Sequence, residues 1–305
     1  MGKKVVITGV AGFIGSNLAE RLLQIGHEVI GIDNLAYGPE EQIPKGVDFH
    51  KLDIRSEEIY PVFKGAEAVF HLAAKNDLLA CQEDPVETMD INVRGTANVF
   101  EAAKRAGVGK VIFASSSALE ESETRLKGFY AISKAACEKI ADGYHAAFGL
   151  NYVLPRYFNV YGPRQDYRRV HPPVMSMFIM KAMRGEPPTL YEGYQNDGRD
   201  FIYIDDINDF HLLCLDNDGV NNKLFRLGAG KSVSIEKVWE TVKSVTGSKL
   251  DPIVKPGPAG HTPAMTLADT KEVEKLGWRA KTSLEDGLRA QFEYLKGEFA
   301  KGNIK

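Results

Sequence analysis

Tyr130 and Lys134 lie four residues apart in Phe129-Tyr130-Ala131-Ile132-Ser133-Lys134-Ala135-Ala136-Cys137-Glu138, a stretch that reads as a helix. One helical turn sets both side chains on the same face, so an ammonium can lie beside a phenol. The positive charge favours the ionised phenol, and a tyrosine tuned in that way can serve as general base toward a sugar or alcohol hydroxyl. Alone, Tyr-x-x-x-Lys is ordinary helix surface; other residues give it company. Ser116, in Ser115-Ser116-Ser117, closes a run of strand character, the place where α/β active sites gather. Arg199 follows Gly198 ahead of a β-rich run; its planar fork suits bidentate phosphate contact, with a surface ion pair as the plainer alternative. Asn159, after another strand, can bind a phosphate or cap a turn, while Asn92, inside a helical stretch, reads as a brace between helix and loop.

These side chains need a frame, and the N-terminus supplies its first piece. Lys4-Val5-Val6-Ile7-Thr8 is a short β-branched run of the kind that makes a buried parallel strand. Gly9-Val10-Ala11-Gly12-Phe13-Ile14-Gly15 follows, and the residues from Ser16 to Leu23 have helical periodicity. Glycines at this spacing permit a tight turn, close approach of backbone to a pyrophosphate, and close helix-to-strand packing. The helix N-terminus then faces the phosphates. A second strand, Glu28 to Ile32, ends in Asp33. A carboxylate about 20 residues past such a turn suits both ribose hydroxyls and repels a 2′-phosphate, which favours NAD over NADP.

Composition narrows the classes. At 305 residues the chain has length for one large domain or two smaller ones. A net charge of −3 offers no basic face for nucleic acid. Cys81, Cys137 and Cys214 are widely separated, with no Cys-x-x-Cys, and the seven histidines show no ligand spacing, so neither a disulfide framework nor a metal site is expected. No apolar run approaches ~18 residues and the start lacks a secretion h-region, so the expectation is a cytoplasmic protein without a membrane span.

Strand and helix patterns alternate through the first half, which predicts an α/β, Rossmann-type, doubly wound parallel sheet with a smaller mixed α/β C-terminal lobe. A single long helix is predicted from about Glu87 to Ala106, and the Tyr130 helix is predicted to run to about Phe148. Asn151 to Arg156 reads as the sixth strand; beyond Gly162-Pro163 the chain becomes looped and proline-rich. The expected division is 1–165, with part of 200–230 returning to it, and 166–305 as a substrate-binding lobe.

Taken in order, these segments resemble the extended short-chain dehydrogenase/reductase family, in its NAD-dependent sugar-nucleotide epimerase/dehydratase branch, over nearly the whole chain. Gly9-x-x-Gly12-Phe13-Ile14-Gly15 looks like that branch's fingerprint, Asp33-Asn34 like its ribose segment, and Asp53-Ile54 like its adenine contact. Leu72-Ala73-Ala74 after His71 resembles its fourth-strand motif. Ser116-Ser117 is similar to its catalytic serine segment, and Tyr130 with Lys134 to its active pair. Arg156-Tyr157-Phe158-Asn159-Val160-Tyr161-Gly162-Pro163-Arg164 is nearly a signature, and Gly198-Arg199-Asp200 looks like the stretch whose arginine holds the nucleotide diphosphate. Leu276-Gly277-Trp278 and Ser283-Leu284-Glu285-Asp286 resemble its closing motif. The resemblance implies Ser116, Tyr130 and Lys134 as the catalytic set, Tyr157 among the cofactor contacts, and Ser117, Asn159 and Arg199 on the substrate. It also implies C4 epimerisation of a UDP-hexose or UDP-N-acetylhexosamine with NAD, in a homodimer. The pairing helices would be the two named above, through Val99, Ala102, Ala103, Ala136, Ala141 and Ala147.

Departures from the family pattern fall on the substrate side. Leu119-Glu120-Glu121 replaces the usual Tyr-Gly, and only fourteen positions separate Ser116 from Tyr130 (130 minus 116). Lys75-Asn76-Asp77-Leu78 lacks the usual small and hydroxyl residues; a usual arginine is missing near Lys255, which can substitute as a point charge. A 4,6-dehydratase would need an acid/base pair directly after the serine, where this chain has Ser117-Ala118, unless Glu120 or Glu121 supplies it. A 4-reductase would prefer NADP, against Asp33; a non-catalytic nucleotide sensor would not need Tyr130 and Lys134.

Overall fold

The computed structural model describes residues 2–120, 128–257 and 263–304. The chain groups into two units, one of residues 1–157 with 208–225 and one of 158–207 with 226–305. The strands of the first are β1 (Lys4–Thr8), β2 (Glu28–Asp33), β3 (Asp48–Lys51), β4 (Ala68–His71), β5 (Lys110–Phe113), β6 (Ser115–Ser116) and β7 (Asn151–Tyr157), and the β-branched, apolar runs of β1, β2, β4 and β5 are the buried central ones. Helices α1 (Phe13–Gln24), α2 (Leu78–Glu83), α3 (Pro85–Met89), α4 (Gly95–Ala106) and α5 (Gly128–Phe148) connect them. With β11 (Lys223–Leu227) at one edge, the strand order is β11-β7-β5-β4-β1-β2-β3, and β6 pairs with β7. The β1–β2, β1–β4, β2–β3, β4–β5 and β5–β7 pairs are all parallel. The expected doubly wound sheet is the one that forms, and its order reverses between β1 and β4, where such folds bind ligands.

Val6, Ile32, Phe63, Val69, Phe100, Val111 and Phe113 make one core cluster in this unit, each 0–1% exposed. Burying an aliphatic or phenyl side chain of this size contributes about 1.5–3 kcal/mol.

The long helix predicted from about Glu87 to Ala106 forms as an unbroken helical run over 85–106, and between α3 and α4 it contains a π-turn over Asp90–Arg94, which holds Asn92. Such turns place one extra residue in the helix and re-aim a side chain. The pairing argument is corrected: Val99, Ala102, Ala103 and Ala141 lie in the chain's own core, leaving Ala136 half-buried and Ala147 exposed.

The second unit holds β8 (Asn159–Tyr161), α6 (Val174–Arg184), β9 (Thr189–Tyr191), β10 (Gly198–Tyr203), β12 (Ser232–Ser234), α8 (Ile235–Thr246), β13 (Ile253–Lys255), α9 (Lys271–Glu274) and α10 (Leu284–Ala300). The chain passes between units within α7 (Ile204–Asp216). β10 lies between β12, antiparallel, and β8, parallel, while β9 pairs with β13. Caps are legible here: Ser234 accepts from Lys237 N–H to start α8, and Ser283 accepts from Asp286 N–H to start α10. The Trp278 indole donates to the Asp206 carbonyl at 3.0 Å, while the Asp206 carboxylate accepts from the backbone of Lys281 and Thr282, tying the closing motif to α7.

Candidate active site

The turn after β1 is built so that backbone alone lines it. Gly9 has φ +78°, and a Cβ there would sit 2.8 Å from the Ala73 amide nitrogen. A Cβ on Gly15 would sit 2.1 Å from the Gly9 carbonyl oxygen, so neither position admits a side chain. The Gly12 N–H donates to the Gly9 carbonyl, and α1 begins at Phe13 with no side-chain cap, its first amide groups directed out of the helix end. Phe13 and Ile14 are half-buried in that first turn. At the end of β2 the Asp33 carboxylate accepts from Ala11 N–H at 3.0 Å and Leu35 N–H at 2.8 Å. Burial raises its pKa, and those two backbone donors pull the other way. Bare turn, open helix end and fixed carboxylate form the cradle a dinucleotide needs, and the residues fit NAD.

The neighbouring segments are more engaged than their spacing suggested. Asp53 is gripped by Arg55 (2.9 and 2.6 Å) and by Asn34 at 3.1 Å; the Arg55 hydrogen bonds hold its pKa near about 2. Ile54 turns into the core against Gly95, and its carbonyl accepts from Asn98 Nδ2 at 2.7 Å. Leu72, Ala73 and Ala74 are half-buried after β4, and Ala73 N–H donates to Thr8 Oγ1. The Tyr157 hydroxyl is committed to a 2.7 Å hydrogen bond with His211 Nε2.

The structure brings the three groups expected to react onto adjoining elements. Ser116 lies in β6, beside Tyr157 in register, and its Oγ accepts from Ala118 N–H; Ser117 opens the short turn that follows. On α5, Lys134 is 3% exposed, its Nζ donating to the Ala114 carbonyl at 2.6 Å and standing 5.8 Å from the Tyr130 ring centroid. Burial lowers the Lys134 pKa to about 8, with Cys137 and Glu138 opposing, so its ammonium titrates just above neutrality. The Asn92 side chain accepts from Lys75 N–H at 2.8 Å and donates to the Lys75 carbonyl and to Ser133 Oγ, both at 3.0 Å. It is the helix-to-loop brace expected, and it pins the loop after β4 to α5 between Tyr130 and Lys134.

Two groups escaped the sequence reading. Glu138 and Arg156 form a paired fork, with Arg156 Nε to Glu138 Oε1 at 2.8 Å and Nη2 to Oε2 at 2.7 Å. Continuing the four-residue spacing from Tyr130 and Lys134 one more step reaches Glu138, a signal that was available. Glu120 is bound by Arg156 Nη1 at 2.5 Å, which commits it to an ion pair; Glu121 lies outside the described residues.

In the second unit, Arg199 Nη1 donates to Asp197 Oδ1 at 2.6 Å and to the carbonyls of Gly198 and Ala264 at 2.8 Å, a grip that leaves its side chain 33% exposed. Asn159 Nδ2 donates to the Asp200 carbonyl at 3.1 Å. The Asp200 carboxylate accepts from Ala229, Gly230 and Ala268 N–H groups, so the turn between β11 and β12 is fixed by a buried acid on β10. Lys255 ends β13 with its side chain exposed.

Sheet order, glycine turn and terminal carboxylate define a dinucleotide-binding protein of the Rossmann type. Residues 5–228 match the model of the NAD dependent epimerase/dehydratase family, and the chain belongs to that family. Over 305 aligned residues it is 31% identical to a putative UDP-glucose 4-epimerase of Methanocaldococcus jannaschii, covering 96% of this chain and 98% of that one. The structure is similar to a UDP-glucose 4-epimerase of Thermotoga maritima solved with UDP-glucose, at TM-score 0.90 and 30% identity, covering 97% and 99% of the two chains. It is equally similar to a UDP-N-acetylglucosamine 4-epimerase of Methanobrevibacter ruminantium in complex with UDP-N-acetylmuramic acid, at TM-score 0.90, 31% identity and the same coverage.

Proposed function

We propose that the protein is an NAD-dependent nucleotide-sugar 4-epimerase, acting on a UDP-hexose or UDP-N-acetylhexosamine through a transient 4-keto sugar. The observation that carries this reading is the Tyr130–Lys134 stripe on α5, anchored by Lys134 at the carbonyl of Ala114, two residues before Ser116. The family match and the similarity to two nucleotide-sugar 4-epimerases support it.

Gly9, Gly12, Phe13, Ile14, Gly15, Asp33, Asn34, Asp53, Ile54, Leu72, Ala73 and Ala74 would hold the cofactor, with Tyr157 and Lys134 at its other end. NAD held there would supply a reversible hydride acceptor for C4, so that the sugar is inverted with no net redox change. Tyr130 takes the C4 hydroxyl proton and later gives it back, and Ser116 hydrogen-bonds the same oxygen. Lys134 stabilises the phenolate by its charge. Ser117 lies against the sugar, and Arg199 and Asn159 hold the diphosphate, for which Arg199 exchanges its grip on Asp197 for a charge-assisted phosphate contact. The pairing of Glu120 with Arg156 withdraws it from the acid/base role a 4,6-dehydratase would require.

The finer organisation goes with this reading: residues 1–165, with part of 200–230, bind the cofactor, 166–305 bind the substrate, and the chain works in the cytoplasm as a homodimer. Exposed Val86 on α3 and Ile132 and Phe148 on α5 supply apolar surface for a two-fold contact. Among the described residues no helix is long and apolar enough to cross a membrane. Light scattering at micromolar concentration tests the dimer, and a monomeric mass refutes it. For the activity, purified protein is incubated with a panel of nucleotide sugars and the products are read by NMR. The expected result is one C4-epimer pair interconverting from either side with only catalytic NAD. Tyr130→Phe should lower turnover by about 10²–10⁴ while leaving NAD affinity intact. Accumulation of NADH, or loss of water from the sugar, would overturn the epimerase assignment.

A further inference from the structure

Tyr130, Lys134 and Glu138 recur at four-residue intervals along α5 and so form one stripe on the helix. Two members of that stripe are bolted to the two residues that precede Ser116. Lys134 Nζ donates to the Ala114 carbonyl at 2.6 Å, and Ser115 Oγ donates to Glu138 Oε1 at 2.5 Å. Side chains alternate along a strand, so Ser115 is gripped from one side while the Ser116 hydroxyl points to the other. Arg156 stands directly opposite Ser115 in the β6–β7 register. Its guanidinium holds Glu138 through two bonds and Glu120 through a third, and Glu120 N–H closes the turn by donating to the Ser117 carbonyl. One planar fork therefore fixes both ends of the segment 115–120 and ties it to α5.

Burying this cluster is expensive, because Glu138 is 8% exposed and the Arg156 side chain 15%. Ion pairs of this kind often add little stability over apolar residues of the same volume, so stability alone does not account for it. A rigid fork does supply direction: bidentate arginine–carboxylate geometry fixes angle as well as distance. Direction is what a serine and a tyrosine on separate elements require if both are to reach one hydroxyl.

We propose that Glu120 and Glu138, acting through Arg156, are positioning residues that hold the Ser116 segment in register with Tyr130 and Lys134. The proposal rests on the reading of Ser116, Tyr130 and Lys134 as the reacting set. It assigns Glu120, in a segment shorter than the family's, a geometric role in place of proton transfer. A misplacement of 1 Å at a reacting centre lowers rate by about a hundredfold, so loosening one arm of the fork should have a smaller effect in the same direction.

The test is Glu120→Gln, which keeps shape and removes charge while the Arg156–Glu138 pair stays in place. Expected are a kcat about tenfold lower, KM for the nucleotide sugar and Kd for NAD changed by less than about twofold, and both limbs of the pH–rate profile retained. Arg156→Lys, which keeps the charge and loses the fork, should reproduce that kcat loss, and Glu120→Asp should recover part of it. Wild-type kcat in Glu120→Gln overturns the proposal. Loss of one limb of the pH profile with a fall of about 10²–10⁴ makes Glu120 an acid/base group and overturns it too. A rise in KM alone would make Glu120 a substrate contact. Tyr130→Phe, run in parallel, separates the two levels. If that variant keeps full turnover, the reacting set itself is wrong; if it is dead while Glu120→Gln is unaffected, only the positioning role fails.

Discussion

Acidification from pH 7 to pH 5 should destabilise the protein through two histidines buried in the first unit. His71 is 0% exposed, with Nδ1 at 2.7 Å from Thr8 Oγ1 and Nε2 at 3.0 Å from Thr96 Oγ1. His211 is also 0% exposed; its Nε2 meets the Tyr157 hydroxyl, and its Nδ1 is buried with no hydrogen-bond partner. Burial lowers both pKa values from 6.5 to about 3, and the nearby Lys134 ammonium adds to the shift at His71. Between those values the unfolded chain binds two more protons than the folded one, so stability rises with pH through the window and is lost on acidification. Integrating from pH 7 to pH 5 gives about 2 kcal/mol for each histidine and about 4 kcal/mol for the pair, a large share of the ~5–15 kcal/mol that holds a typical domain together. The assay is urea denaturation of the cofactor-free protein at pH 7, 6 and 5, for the wild type and for His211→Gln. The variant should lose about half of the pH dependence. That difference isolates the imidazole from Asp33 and Asp200, whose burial raises their pKa values and acts in the opposite direction. A wild-type stability that is flat across the window, or a variant with an unchanged slope, would refute the reasoning.

Asp33→Ser should narrow the preference for NAD over NADP, since the carboxylate facing a 2′-phosphate is removed; calorimetry with both cofactors reads it, and equal affinities in the wild type would contradict the assignment. Gly15→Ala forces a Cβ to 2.1 Å from the Gly9 carbonyl, so it should open the turn, weaken NAD binding by at least about tenfold and lower the melting temperature of the cofactor-free protein. Arg199→Ala should raise KM for the nucleotide sugar with kcat little changed, because a phosphate contact is made equally in ground and transition states; steady-state kinetics decide, and a pure kcat effect would count against it.

The legible parts of this chain were those in which local chemistry dictates the residue. The glycine turn announces itself because no other residue tolerates the space beside Ala73 and the Gly9 carbonyl. The β-branched strands show as continuous apolar runs because both sheet faces are covered. Tyr130 and Lys134 were legible by spacing. What stayed hidden depends on contacts between distant segments. The π-turn at Asp90–Arg94 carries no composition signal, yet it delivers Asn92 to Lys75 and Ser133. Val99, Ala102 and Ala103 had the pattern of an exposed pairing face and are instead the inner face of α4, because small residues suit close packing as well as association. Glu120 read as a spare acid until Arg156, 36 positions away, took it up.

The return of residues 208–225 to the first unit sets a timetable for the chain's synthesis. Lys110 is 7% exposed, and its ammonium relies on the Cys214 carbonyl and the Asp218 carboxylate, at 3.1 and 2.9 Å. Lys3 likewise reaches the Leu215 carbonyl and Asp216. A ribosome that has just finished β7 has therefore made every central strand of the sheet, but neither the groups that neutralise Lys110 nor His211, the partner of the Tyr157 hydroxyl. The nascent N-terminal portion must wait for roughly a further sixty residues, several seconds at ~5–20 residues per second. Through that interval it stands with an unpaired Lys110 ammonium and an open sheet edge, the form in which a chaperone would first meet it.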